Sequence, residues 1–161
     1  MTPKERITGA LNGADRDATG KALQDTLVEL VDLHLSAKQA HWNVVGRFFR
    51  DVHLQLDELV TTARDYADSV AERSAALGVP PDGRSGTVAG ESNLPKLDAG
   101  WHADRDVVEY IVRCLETTIH RLRARIDETD KTDQVTQDLL IALAAKLEES
   151  HWMWQAQLAD S

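Results

Sequence analysis

Lys38 to Arg73 reads KQAHWNVVGRFFRDVHLQLDELVTTARDYADSVAER, and this stretch decides both the fold and the chemistry to look for. His41, His53, Asp57, Asp68 and Glu72 recur in it at separations that suit helices, with Gly46 placed to end the first helix. Imidazole nitrogens and carboxylate oxygens together suit a first-row divalent metal that changes oxidation state, whereas a closed structural zinc site normally recruits thiolates. The only cysteine, Cys114, lies outside the stretch. The five residues are therefore candidate ligands for iron. The competing reading is that the three carboxylates are solvated charges on an amphipathic helix.

Outward from this stretch, four long segments carry helical periodicity, separated by punctuation residues. The first is expected from about Thr19 to Val45, with Leu23, Leu27, Leu30, His34 and His41 near one face. The second runs from Arg47 to Leu77, where Gly78 and Pro80-Pro81 stop it. Residues 79–103 form a long crossover in which Arg84 to Ala89 can make one short helix. Asp104 is expected to cap the third helix, whose apolar stripe includes Val107, Ile111, Leu115, Leu122 and Ile126. The fourth begins near Asp133 to Thr136 and runs past Trp154. Short, long and short links in that order predict an all-α, ferritin-like four-helix bundle with one long crossover. The domain is expected over residues 19–158, after a flexible tail at 1–18 and before a C-terminal end at 159–161.

Geometry on the second helix decides how the ligands can meet. At about 100° per residue, His53, Asp57, Asp68 and Glu72 fall within an arc of about 100°. Along the axis, however, Asp57 and Asp68 stand roughly 16 Å apart, and His53 and Glu72 roughly 28 Å. No single centre spans that. If the helix packs antiparallel on its own copy across a two-fold axis, residues 53 and 57 of one chain lie beside 72 and 68 of the other. The midpoint falls between residues 62 and 63, where Thr61-Thr62-Ala63 offers small side chains for close approach.

Composition agrees with one helical domain. The chain has 161 residues, 42% hydrophobic and 28% charged, and its formal charge of −9 argues against a surface that binds nucleic acid throughout. The same charge favours a protein that gathers cations. No segment approaches the roughly 20 apolar residues of a membrane span, and a cytoplasmic location is the expectation.

The run Lys38-Gln39-Ala40-His41-Trp42-Asn43-Val44-Val45-Gly46, followed by His53-x-x-x-Asp57 and Asp68-x-x-Ala71-Glu72-Arg73, resembles the signature of the Dps family, the miniature ferritins called DNA-binding proteins from starved cells. The resemblance covers roughly residues 20–158. It implies a hollow homo-dodecamer with ferroxidase centres at two-fold interfaces, each holding a pair of irons between His41, His53 and Asp57 of one subunit and Asp68 and Glu72 of another. It further implies that Fe2+ is oxidised, preferably by hydrogen peroxide with dioxygen as the alternative, and kept as Fe3+ mineral, which protects the cell and its DNA. Lys38 can then orient a ligand carboxylate, or be a plain surface charge. Trp42 can quench a stray oxidising equivalent, or be a packed aromatic.

The family also has acidic pores near the start of helix four. Here residues 127–138 hold five acids and one lysine. Asp138 matches the pore position best, Asp133 and Asp130 accompany it, and Gln134 stands where some relatives carry an acid. An exposed acidic turn is the other reading. Glu148-x-x-His151 is a lone copy of a step that di-iron bundles use twice, so His151-Trp152-Met153-Trp154 is expected to be packing. His34 is expected in the core or at an interface. DNA contact has little support, because Lys4, Arg6 and Arg16 are offset by Glu5, Asp15 and Asp17 and the C-terminus has no basic extension. A DNA-compacting protein with secondary iron chemistry is the alternative function.

Overall fold

A computed structural model describes residues 7–159, so Lys4, Glu5, Arg6, Asp160 and Ser161 lie outside the described residues. In chain order the elements are α1 (Gly13–Asn43), β1 (Val44–Val45), α2 (Phe49–Ala76), α3 (Ser85–Glu91), β2 (His102–Ala103), α4 (Asp104–Thr132) and α5 (Gln134–Ala156). The α1–α2 and α4–α5 hairpins pack through α1 against α4, and α3 lies on α1 within the crossover. This is the expected ferritin-like bundle. The core between the hairpins is mainly apolar, with Leu30, Leu33, Leu56, Ile111, Leu115, Leu143 and Trp154 all fully buried, and the buried Glu29 of α1 is held there by Arg125 (2.8 Å) and Arg121 (3.0 Å) of α4.

Local chemistry sets the helix ends. Gly78 adopts φ +77°, and the bonds from Gly78 N–H to the Ala75 carbonyl (2.9 Å) and from Val79 N–H to the Ser74 carbonyl (3.0 Å) close a Schellman motif. The crossover is then pinned to α1 by Gln24, whose amide donates to the Asp82 carbonyl (2.8 Å) and accepts from its N–H (2.9 Å). Asp133 caps α5 by accepting from the N–H groups of Val135 and Thr136.

Three expectations need correction. First, α1 begins at Gly13 rather than Thr19, because Asn12 caps it by accepting from Asp15 N–H at 3.0 Å. The described part of the expected tail is therefore docked. Gly9 lies so close to the end of α2 that a Cβ there would come within 2.7 Å of the Leu77 backbone.

Second, Asp104 is the first residue of α4 and Ala103 is its cap. The Asp104 carboxylate instead accepts from Phe48 N–H at 2.7 Å, bracing the turn between α1 and α2. The same turn meets the crossover through a parallel pair that the all-α reading did not anticipate, with Val44 opposite His102 and Val45 opposite Ala103.

Third, Ala63 is fully buried in the chain's own core, while only Thr61 of the Thr61-Thr62-Ala63 run is exposed. On the helical wheel Ala63 projects about 80° outside the ligand arc, toward the other helices of the same chain. Ala63 is therefore taken up by the chain's own core, and of the run Thr61 is the residue left exposed on the ligand face.

Candidate metal centre

The turn at Gly46 brings the end of α1 against the start of α2, and this positions both histidines. The Nδ1–H of His41 donates to the carbonyl of His53, and the Nδ1–H of His53 donates to the carbonyl of His41, each at 2.8 Å. A carbonyl only accepts, so both rings carry their proton on Nδ1 and both Nε2 lone pairs are left for a ligand. The rings stack with centroids 3.6 Å apart and planes 19° from parallel, and Phe49 covers His53 from 5.0 Å. His41 is buried. Two imidazoles are thus oriented by backbone alone, the kind of support that fixes tautomer and direction at metal sites.

Asp57 comes next to them, one turn after His53. Its Oδ1 lies 3.4 Å from His41 Nδ1 and accepts a hydrogen bond from the Lys38 ammonium. That bond, reinforced by the charge of Lys38, holds the Asp57 carboxyl below the usual carboxylate range. The expected role of Lys38 as a group that orients a candidate ligand is thus compatible with its observed contact. The carboxylate faces two demands, because an incoming metal must compete with the ammonium for Oδ1.

Asp68 and Glu72 do not join this group. Both are exposed on α2, which runs unbroken from Phe49 to Ala76, so the axial separation of roughly 16 Å between Asp57 and Asp68 holds. Among the described residues no three His, Cys, Asp or Glu side chains of one chain converge as they would around a metal ion. The chain therefore presents two imidazoles and an engaged carboxylate at one end of a helix face, and two exposed carboxylates at the other. Trp42, Leu54 and Phe49 stand exposed around the first group (62%, 48% and 43%), so Trp42 is not a packed aromatic within this chain.

The acidic turn divides into different roles. Asp133 receives the Arg73 guanidinium at 2.6 Å as well as the α5 cap, and its side chain is almost fully covered. Burial pushes its carboxyl up, but the hydrogen bonds from Arg73 and Thr136 outweigh that and hold it below the usual range. Asp130 accepts from Gln137 at 3.2 Å, and Asp138 is exposed. Asp130 and Asp138 are the candidates left to line a channel with free charge.

Elsewhere Trp154 is buried as expected, but Trp152 and Met153 are exposed. Glu148 is held by Arg123 at 2.7 and 2.9 Å, and the Nε2 of His151 is buried with no hydrogen-bond partner. His34 is half-buried, and burial, followed by the charge of Arg64, lowers its proton affinity. Burial also pushes the Cys114 thiol up to about 11, so it remains a protonated core group. Sequence reading gives no role to Arg64, or to Arg73 beyond its place in the Ala71-Glu72-Arg73 motif. Their signal was present, since each lies next to or between the motif acids on α2.

Residues 20–161 match the ferritin-like domain model. The chain is 38% identical over 154 residues to the DNA protection during starvation protein of Mycolicibacterium smegmatis, covering 92% of this chain and 82% of the relative. It is 35% identical over 141 residues to DNA protection during starvation protein 2 of Deinococcus radiodurans, covering 88% of this chain but only 58% of that longer relative. Its fold superposes on the structure of Dps from Microbacterium arborescens in the high iron form with a TM-score of 0.90 at 33% identity, covering 95% of this chain and 99% of that one. With bundle, crossover and motif residues in register and a family model spanning most of its length, this chain belongs to the Dps branch of the ferritin-like family.

Proposed function

We propose that the protein is a ferroxidase and iron store that completes its catalytic centre only between two copies. The observation that carries this reading is the split donor set. His41 and His53 offer oriented Nε2 atoms at one end of the α2 face, and Asp68 and Glu72 stand exposed at the other. Antiparallel pairing of α2 about a two-fold axis brings His41, His53 and Asp57 of one chain to Asp68 and Glu72 of its partner, twice per pair. The exposed Trp42, Phe49 and Leu54 are the apolar surface such pairing would cover. Iron is the substrate, and the name of the high-iron relative supports its choice.

In this reading a pair of ferrous ions binds at each shared centre. Each gives one electron to hydrogen peroxide, the preferred oxidant. The O–O bond breaks, two protons are taken up and two waters leave, so no hydroxyl radical is released. Hard ferric product stays with carboxylate oxygen and passes into a dodecameric shell as mineral. Asp130 and Asp138 line the access pore, and Trp42 is placed next to His41 to intercept stray oxidising equivalents. The names of the relatives support a role in protecting DNA, exerted through removal of iron and peroxide in the cytoplasm. No helix among the described residues is long and apolar enough to cross a membrane.

The test is anaerobic ferrous loading followed by peroxide, read by ferric absorbance, in the parent protein and in His41→Ala and Asp68→Ala separately. Both variants are expected to lose at least about ten-fold in the fast phase, as loss of a ligand or its support usually costs. Fast oxidation persisting in both variants refutes the shared centre.

A further inference from the structure

Between His53 and Glu72 the ligand arc of α2 contains one basic side chain, Arg64. At 100° per residue it projects about 20° from His53, between His53 and Asp57 in direction and one turn before Asp68 along the axis. Arg64 is exposed and, among the described residues, makes no hydrogen bond or ion pair. Asp68 is equally unpaired, although opposite charges one turn apart on a helix commonly meet; the order of cation before anion is the weaker one. The charge of the guanidinium reaches His34 of α1, as does that of Asp32.

We infer that Arg64 is the counter-cation of the ferroxidase centre in the metal-free protein, neutralising the ligand carboxylates across the two-fold axis and competing with ferrous ions for Asp68. The inference rests on the two-fold centre proposed above. In that pairing residues 57 and 68 are opposite, so Arg64 faces Thr61 of the partner subunit, only about 2 Å along the axis from the midpoint. The two guanidinium groups then flank the axis, and each stands on the inner side of one centre. Each chain brings Asp57, Asp68 and Glu72 to this face, and Lys38 already engages Asp57. Without a cation near Asp68 and Glu72, the metal-free pair would crowd like charges together. A loaded centre supplies that positive charge itself, and Arg64 is released. The residue therefore supports assembly when iron is absent and holds affinity down as iron arrives.

Calorimetric titration of the metal-free assembled protein with Co2+, a divalent ion that needs no oxidant, tests this directly. Arg64→Gln is expected to bind Co2+ about three-fold or more tightly per centre, the scale of a solvent-screened ion pair, whereas Arg64→Lys keeps the parent affinity. Sedimentation of metal-free Arg64→Gln should show association weakened by a similar factor. A purely structural defect lowers Co2+ affinity instead, and unchanged or lower affinity in Arg64→Gln overturns the inference. Asp68→Asn and His41→Ala in the same titration separate the two failures. If both retain parental binding, the shared centre itself is wrong; if both lose it while Arg64→Gln is unchanged, only the role of Arg64 falls.

Discussion

Gly46 carries more of the site than any of its neighbours suggest. Its φ of +136° belongs to a region that side chains rarely enter, and a Cβ there would approach Asp104 Oδ2 to 2.5 Å. The turn it permits is the one that lets the Nδ1–H of His41 and of His53 each donate a hydrogen bond to the other residue's backbone carbonyl. Gly46→Ala should therefore cost about 3 kcal/mol in urea unfolding, from backbone strain together with loss of the carboxylate bond to Phe48 N–H. It should also weaken Co2+ binding, because the imidazoles lose their mutual orientation. Parental stability and metal affinity in that variant would mean the turn has room that the geometry denies. The sequence marked Gly46 only as a helix terminator; its strain is invisible there, since the clash is with a residue 58 positions away in another hairpin.

Among the elements, α2 was the most legible and its surroundings the least. Helical periodicity is a local property, so the shared direction of His53, Asp57, Asp68 and Glu72 could be read directly, as could the stop at Gly78. Which flank of that helix faces the chain's own core depends on where α1, α4 and α5 pack, and so Ala63 was wrongly given to a partner. The start of α1 was missed although Asn12 and Asp15 spell a capping pair, because the neighbouring glycines and charges resemble a tail.

Helix α5 shows a similar tertiary role at Asp133, which combines a cap with the Arg73 ion pair. Asp133→Ala should destabilise by about 3 kcal/mol, the sum of a lost cap and a partly buried cation left alone, and Asp133→Asn by less because it still caps. The advantage of Asp over Asn has a definite pH window. The folded carboxyl titrates below its unfolded value, so the advantage is complete above about pH 5 and is lost as pH falls through the depressed folded value. Unfolding free energies of the two proteins should differ steadily from pH 5 to 7 and converge as pH falls through the depressed folded value. A constant gap down to that acidity would show that the ion pair contributes nothing.

For the whole molecule, the decisive property is that one chain presents two partial donor sets at opposite ends of α2, His53 and Asp57 with His41 of α1 at one end and Asp68 with Glu72 at the other, the two halves of the proposed site. An isologous pair completes both halves at once, and this makes the proposed activity a property of assembly that mixing can expose. His41→Ala and Asp68→Ala should each be inactive alone, since each spoils both centres of its pair. In a mixed pair, one centre collects both substitutions, while the other joins an intact His41 to an intact Asp68. Statistical mixing makes half of all pairs mixed, so subunits separated and reassembled together should recover about a quarter of the parental oxidation rate per chain. Arrangements confined to one chain predict no recovery at all, because every chain then carries one broken centre. The experiment distinguishes the two arrangements, and the shared one is expected because roughly 16 Å separates Asp57 from Asp68 on α2, too far for one chain to close a centre alone.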